Sequence, residues 1–188
     1  MLHYFHGFAH LRKRNYQEAI GSLEQAKKLS RSDSNFMSDV CNMLGDAYNA
    51  TKLYEKSDKA YDEALLLNPN NFGALNNYSY YLAVRKANLE KAEKMSAQLT
   101  KSNPENPTFL DTHAWVLYAR EKFKEAKKVI ERAISTGNAN ATHFEHYGDI
   151  LFKLGDVNGA VQQWEKARGM NANSEILNKK IANRKMYE

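Results

Sequence analysis

The stretch LYEKSDKAYDEA at residues 53–64 decides the fold, because the chain carries the same pattern five times. Its small and apolar residues Ser57, Tyr61 and Ala64 follow spacings of three and four, so they share one face of a helix. A period of about 34 residues is typical of stacked helical repeats rather than of a globule with one central core. The other copies are NYQEAIGSLEQA (15–26), NLEKAEKMSAQL (88–99), KFKEAKKVIERA (122–133) and DVNGAVQQWEKA (156–167).

A second helical pattern precedes each copy, so the repeating unit is a pair of helices, A and B. In the second unit, Cys41, Leu44 and Tyr48 share one face of helix A with Gly45. A small residue at this place lets helix B approach closely. Helix B of that unit should end before Pro69, because proline cannot continue the hydrogen-bond ladder. The small residues of the five A helices are Gly7, Gly45, Ser79, Ala114 and Gly148.

The arrangement Leu44-Gly45-x-x-Tyr48, followed by Ser57, Tyr61, Ala64 and Pro69, resembles the tetratricopeptide repeat (TPR) consensus. The fifth unit resembles it as well, with Tyr147-Gly148-x-x-Leu151, Ala160, Trp164 and Ala167. The resemblance covers about residues 2–173. It implies an all-α, right-handed superhelical solenoid of helix-turn-helix units closed by a C-terminal capping helix. The predicted units within this single array, residues 1–188, span about 1–33, 38–71, 72–106, 107–140 and 141–173, with the capping helix at 174–187.

The stretches NPENPTFLDTHAWVLY and HFEHYGDILFKLGD are similar to the C-terminal arrays of long TPR proteins from Bacteroidetes-type bacteria. The first residues already fit helix A of the first unit and lack the pattern of a signal peptide. We therefore expect the chain to be part of a longer bacterial protein that lies in the cytoplasm or, if it belongs to the envelope, in the periplasm. Neither the resemblance nor the sequence names a partner.

Composition favours a folded, non-catalytic chain. Of 188 residues, 43% are hydrophobic and 26% charged, which argues against disorder. No stretch approaches the roughly 18 apolar residues of a membrane span. The sequence has no phosphate-binding glycine loop, nucleophile elbow or zinc-protease motif, and its one cysteine, Cys41, falls at a core position. We predict neither enzymatic activity nor a cofactor.

The TPR resemblance implies that the A helices line a concave groove that binds an extended peptide or a partner helix. Asn42 and Asn76 stand where TPR modules that recognise acidic C-termini also have asparagine, but the cations of that clamp are missing. The predicted peptide-binding residues are Asn42, Asp46, Asn49, Asn76, Tyr80, Asp111, Trp115, Tyr118, Glu145, Asp149 and Phe152, with Tyr4, Phe8 and Asn77 on the same face.

This set combines carboxylates, asparagine amides and aromatic rings, and Arg12 and Lys153 are the only cations that the pattern places nearby. An amide offers both a donor and an acceptor to a peptide backbone. Aromatic rings accept apolar or cationic side chains. We therefore expect a protein or peptide partner that is neutral to basic. A net charge of +5 with glutamates among the lysines predicts no nucleic-acid partner.

Two alternatives remain at this point. Groove aromatics such as Trp115 and Phe152 can pack against the next A helix and never meet a ligand. The array can also serve as an assembly module, a spacer or stacking element of a longer protein that self-associates through its N-terminal edge. His3, His6 and His10 share a helix face that would suit zinc, but they fall at packing positions.

The capping helix should begin at Ser174, whose hydroxyl can accept a backbone hydrogen bond. We expect Ile176, Leu177 and Ile181 to cover the last helix pair while the lysines face water. The four extra residues between the first and second units fall in the polar stretch SRSDSN (30–35).

Overall fold

The computed structural model of the chain describes residues 1–29, 33–170 and 174–187. These residues form eleven helices and no strand, so the predicted all-α fold class is confirmed. In chain order the helices are α1 Leu2–Arg12, α2 Tyr16–Leu29, α3 Ser34–Ala50, α4 Tyr54–Leu67, α5 Phe72–Val84, α6 Leu89–Ser102, α7 Pro107–Ala119, α8 Phe123–Ser135, α9 Ala141–Lys153, α10 Val157–Gly169 and α11 Glu175–Asn183.

The chain divides into two compact units, Met1–Tyr81 and Leu82–Glu188. In the first unit α1 packs on α2, α2 on α3 and α3 on α4, and α1 also contacts α3. In the second unit each helix from α6 to α11 packs on the next, and α7 also contacts α9. Within each unit the helices therefore pack with their sequence neighbours, as expected of a repeat array.

Close approach within a helix pair depends on the small residue of helix A. A Cβ added to Gly45 would lie 2.6 Å from Cζ of Tyr61, which is fully buried against it. Trp164 takes the same position against Gly148, and Leu23 against Gly7. The predicted core of the second repeat is confirmed, because all of its members lie in the interior: Cys41, Leu44, Tyr48, Ser57, Tyr61 and Ala64.

The turn between helix A and helix B has one left-handed residue at a matching place in each of the five pairs. Their φ angles lie between +52° and +87°. Only the last of them is a glycine, so the other four turns hold a side chain in a conformation that costs about 1 kcal/mol or more. The third turn adds a second left-handed residue, Asn88. The five residues are Arg14, Lys52, Lys86, Glu121 and Gly155.

Short polar side chains cap the starts of three A helices, α3, α7 and α9. Asp33 Oδ1 accepts from the backbone N–H of Asn35 at 2.9 Å and of Phe36 at 3.1 Å. Asn106 caps α7 ahead of Pro107, and Asn140 forms a capping box with His143 at the start of α9. Each side chain satisfies a backbone donor that would otherwise lack a partner, so the sequence itself fixes where the helices begin. Residues 30–32 of the predicted inter-repeat loop lie outside the described residues.

The last helix, α11, differs from the prediction in two respects, the exposure of Ile176 and the burial of Lys180. Ser174 caps it as expected, since its Oγ accepts from the backbone N–H of Leu177 at 3.0 Å. Leu177 is fully buried, but Ile176 is 48% exposed and Lys180 is only 3% exposed. The expectation that the lysines face water is therefore wrong for Lys180. It lies three residues after Leu177 and shares its buried face, whereas Ile176 falls on another face.

Candidate functional site

The predicted binding residues of α3 lie one turn apart and are all half-buried. Asp46 is engaged inside the protein: its Oδ1 accepts from the hydroxyl of Tyr61 at 2.5 Å, and the Nδ2 of Asn77 donates to both carboxylate oxygens at 3.0 and 3.3 Å. Burial raises the pKa of Asp46, and these hydrogen bonds oppose that shift. Asp46 thus joins helices α3, α4 and α5.

Asn42 differs from Asp46 because its side-chain acceptor is unused. The Oδ1 atom of Asn42 is buried and has no hydrogen-bond partner in the described structure. The neighbouring α5 leaves room at Gly73, where an added Cβ would lie 3.2 Å from Nδ2 of Asn42. A buried acceptor without a partner costs about 1–3 kcal/mol. Asn42 is therefore a predicted binding residue with an unused side-chain acceptor.

Further amides lie beside Asn42 on the same two helices. Asn76 donates to Oδ1 of Asn77 at 3.1 Å, and Asn77 in turn donates to Asp46. Asn49 is half-buried, two turns after Asn42. Tyr80 is also half-buried and contacts the ring of Tyr81 with a centroid distance of 5.9 Å. We call Asn42, Asn49, Asn76 and Asn77 the amide patch.

The two aromatic residues predicted on α1 behave differently. Tyr4 is half-buried and packs on Phe36 of α3, with ring centroids 5.0 Å apart. Phe8 is 48% exposed. Tyr4 is therefore largely a packing residue, and Phe8 is accessible.

In the second unit, Asp111 and Trp115 both contact His146 of the next A helix. Nδ1 of His146 lies 2.9 and 3.1 Å from the two carboxylate oxygens of Asp111. The ring of His146 stacks on Trp115 at 4.1 Å, and Trp115 stacks on Tyr118 at 4.6 Å. The packing alternative for Trp115 therefore describes its main contacts.

Two opposing effects act on His146. Burial favours the neutral ring and would lower its pKa. The carboxylate of Asp111, followed by those of Asp149 and Glu145, outweighs that effect, so the pKa of His146 is raised. The result is a charge-assisted contact between α7 and α9.

The carboxylates of Glu145 and Asp149 both bind Lys180 of α11. The ammonium lies 3.0 Å from Oε1 of Glu145 and 2.8 and 2.9 Å from the two oxygens of Asp149. The indole Nε1 of Trp164 donates to Asp149 at 2.9 Å. Burial raises the pKa of Asp149 despite Lys180, His146 and Trp164, which lower it. Lys180 is thus a cation of this face that the sequence pattern did not reveal.

Phe152 is half-buried, and its ring centroid lies 5.9 Å from that of Trp164. It borders the Lys180 site on the same helix as Asp149. All four predicted carboxylates therefore bind other side chains of the protein. Asp46 contacts Tyr61 and Asn77, Asp111 contacts His146, and Glu145 and Asp149 contact Lys180.

A single sequence relationship links these contacts. In each contact the donor residue lies 31 or 35 positions after the predicted binding residue, on the next A-type helix. The donors, Asn77, His146 and Lys180, stand at matching places in their repeats. Each donor lies on a different helix from its carboxylate, so the pattern within a single A helix does not reveal the contact. An offset of about one repeat between a carboxylate and a donor was the signal that could have found them.

The catalytic and metal alternatives gain no support. Cys41 is fully buried, and burial is the largest effect raising the pKa of its thiol to about 11. His3, His6 and His10 do not converge, and no cluster of three metal-binding side chains occurs in the described ranges. Among the described helices, none has the length and apolar character needed to cross a membrane.

Helix pairs in which a small residue faces a bulky side chain, with side-chain contacts from α3 to α5, from α7 to α9 and from α9 to α11, define a helical repeat scaffold. Tetratricopeptide repeat models match residues 38–71 and 112–173. The chain belongs to the tetratricopeptide repeat family. Proteins of this family are generally non-catalytic scaffolds that bind proteins or peptides.

Similar proteins come from bacteria. The TPR repeat-containing protein PA4667 of Pseudomonas aeruginosa is 27% identical over 62% of this chain, and the chain spans only 21% of that protein. The crystal structure of PilW, a type IV pilus biogenesis factor, aligns with a TM-score of 0.83 at 16% identity, covering 97% of this chain and 84% of PilW. The thermophilic TPR protein TTC0263 of Thermus thermophilus aligns with a TM-score of 0.77 at 15% identity, covering 97% and 96%. At such identities the structural likeness concerns the fold alone.

Proposed function

We propose that this chain is a non-catalytic scaffold whose A helices bind an extended peptide or partner segment, with the amide patch as the contact to the peptide backbone. The observation that carries the proposal is the buried, unpartnered Oδ1 of Asn42. A rotation of the Asn42 side chain would bring this oxygen to a backbone N–H of a bound peptide, which would supply the missing donor. An acceptor buried without a partner is costly, so its pairing with a ligand contributes to affinity.

The amides determine what kind of peptide fits. Asn42 and Asn49 carry no formal charge, and Asp46 between them is already bonded to Tyr61 and Asn77. Backbone recognition by amides demands little of the ligand's side chains. For this unit we therefore propose a neutral, extended ligand, bordered by the ring of Tyr80.

The experiment is a selection from displayed random-sequence peptides, followed by titration of one selected peptide into three proteins. They are the unaltered chain, the Asn42→Ala variant and the Gln25→Ala variant, which removes an exposed amide of α2 as a matched control. We expect Asn42→Ala to weaken binding about fivefold to tenfold, the value of one hydrogen bond. Gln25→Ala should bind as the unaltered chain does. Equal binding by all three proteins would show that Asn42 of the amide patch does not contact the peptide.

A second candidate function, an assembly module, is favoured by the exposed face of α1. Leu2 is 67% and Phe5 56% exposed. Their counterparts on α3, Val40 and Met43, are 0% and 8% exposed because the preceding helices cover them. Another helix pair stacked on α1 would bury Leu2 and Phe5 in the same way.

Sedimentation of the unaltered chain beside a Phe5→Asp variant tests this second function. Concentration-dependent association that the substitution abolishes would support assembly through α1. A chain that stays monomeric in both forms would argue against self-association.

A further inference from the structure

The end of the second unit contains a complete set of contacts for one ammonium group. Lys180 is 3% exposed, and its Nζ donates to Glu145 and to both oxygens of Asp149 within 3.0 Å. The same Nζ lies 5.9 Å from the ring centroid of Trp164. Carboxylates and an aromatic face arranged around one cation are the chemistry that recognises lysine.

The helix that delivers this lysine buries few side chains. Among the nine residues of α11, only Leu177 and Lys180 are buried. The preceding A-type helix, α9, buries six of its thirteen residues. Ile181 is half-buried and packs on the same apolar cluster as Leu177, so two apolar side chains and one ammonium hold α11. A helix with few buried side chains has low local stability and opens readily.

Charge determines what can replace α11. If Lys180 leaves, Glu145 and Asp149 become two neighbouring carboxylates with no cation between them. Removing one partner of a buried ion pair is destabilising because it leaves an uncompensated buried charge. A replacement must therefore bring its own cation to this place, together with an apolar group one turn earlier to fill the position of Leu177.

We propose that Glu145, Asp149 and Trp164 form a binding site for a lysine presented on a helix of a partner protein, which α11 fills from within the same chain. The partner helix carries the register Leu-x-x-Lys that α11 displays at Leu177 and Lys180. Binding exchanges one lysine-bearing helix for another, so the buried carboxylates keep a cation throughout. This site is separate from the amide patch, and neither proposal depends on the other.

The first test uses a fluorescent peptide of residues 174–187 and the Lys180→Met variant of the chain, in which the site lacks its internal cation. We expect the peptide to bind this variant at least tenfold more tightly than it binds the unaltered chain, where α11 competes. A Lys180→Met peptide should lose this binding. A Lys179→Met peptide should keep it, because Lys179 is exposed and pairs with the exposed Glu175. Equal binding to both chains, or equal binding by the Lys180→Met peptide, overturns the proposal.

The second test leaves the chain unaltered and so does not depend on the stability of a variant. The unlabelled peptide is added to isotope-labelled protein above the millimolar effective concentration of a tethered helix. We expect NMR hydrogen exchange to accelerate in α11 while α9 keeps its protection. Unchanged exchange throughout α11 at that concentration overturns the proposal.

Discussion

Asp46 and Asp149 make the same pair of contacts in two different repeats. Each follows the glycine of its A helix and accepts a hydrogen bond from an aromatic side chain 15 residues later. Each also accepts from a side chain 31 residues later, on the next A-type helix. Each of these two carboxylates therefore connects three helices. The donors are Tyr61 and Asn77 in the first unit, and Trp164 and Lys180 in the second.

Loss of the Lys180 ammonium should release α11. Lys180→Met leaves two carboxylates without their cation, a loss of about 3–5 kcal/mol. Thermolysin should then cut within α11 about 100-fold faster than in the unaltered chain. Lys179→Met is the matched control, since an exposed pair contributes about 0.5 kcal/mol or less. Equal cleavage of both variants would show that the buried ion pair does not hold the helix.

The contact between His146 and Asp111 should make stability depend on pH. The raised pKa of His146 means that the folded state favours its charged form. This stabilisation is fully present below the unfolded pKa of about 6.5 and is lost as pH rises through the folded value. Burial lowers the pKa of His113, so this histidine changes stability only below about pH 6.5. The effects of His146 and His113 on stability therefore fall in different pH ranges.

Urea unfolding followed by tryptophan fluorescence measures this effect, because Trp115 and Trp164 both lie in the second unit. Above about pH 6.5 the midpoint should fall with rising pH in the unaltered chain and stay level in a His146→Gln variant. The groups that face His146 are the carboxylates of Asp111, Asp149 and Glu145, and the ammonium of Lys180 binds the last two. The same slope in both proteins would contradict the assignment.

Two glycine substitutions should have opposite effects. An alanine Cβ at Gly45 would lie 2.6 Å from Tyr61 Cζ, so the ring must shift away from its bond to Asp46. Overpacking of this kind costs about 1–3 kcal/mol. Gly21→Ala meets nothing within 4 Å on helix α2 and should stabilise by about 0.5–1 kcal/mol. Urea unfolding of both variants checks the order, and a Gly45→Ala protein as stable as Gly21→Ala would rule out the close contact.

Cys41 should report opening of α3. The thiol is fully buried and its pKa is raised to about 11, so little thiolate is present near neutral pH. We expect a thiol reagent to label the folded chain at least 100-fold more slowly than the urea-unfolded chain. Rapid labelling of the folded chain would show that α3 opens readily or that its core is looser than the structure indicates.

The fold followed from the sequence because its signals are local. Each small residue, such as Gly45, stands about half a repeat before the ring or aliphatic side chain that packs on it, as Tyr61 does. Both helices of a pair lie within a single repeat, so one period contains the information. The left-handed turn residues Lys52 and Glu121 were not predicted, because lysine and glutamate give no signal for that conformation.

The candidate site was harder to predict because its contacts cross from one repeat to the next. Asp111 and Glu145 were read as ligand carboxylates, yet each meets a partner 35 residues later. Hydrophobic pattern placed Lys180 in water because lysine is normally exposed. Lys180 lies one turn after Leu177 and shares its buried helix face, where two carboxylates compensate the charge of the ammonium.

The most direct test of the proposed function is a double-mutant cycle between Asn42 and the backbone of a selected peptide. Each peptide N–H is replaced in turn by N-methyl, and each peptide is titrated into the unaltered chain and into Asn42→Ala. We predict one position at which N-methylation weakens binding to the unaltered chain about fivefold or more but leaves binding to Asn42→Ala unchanged. Losses that simply add at every position would contradict the claim that Asn42 accepts a hydrogen bond from a bound peptide.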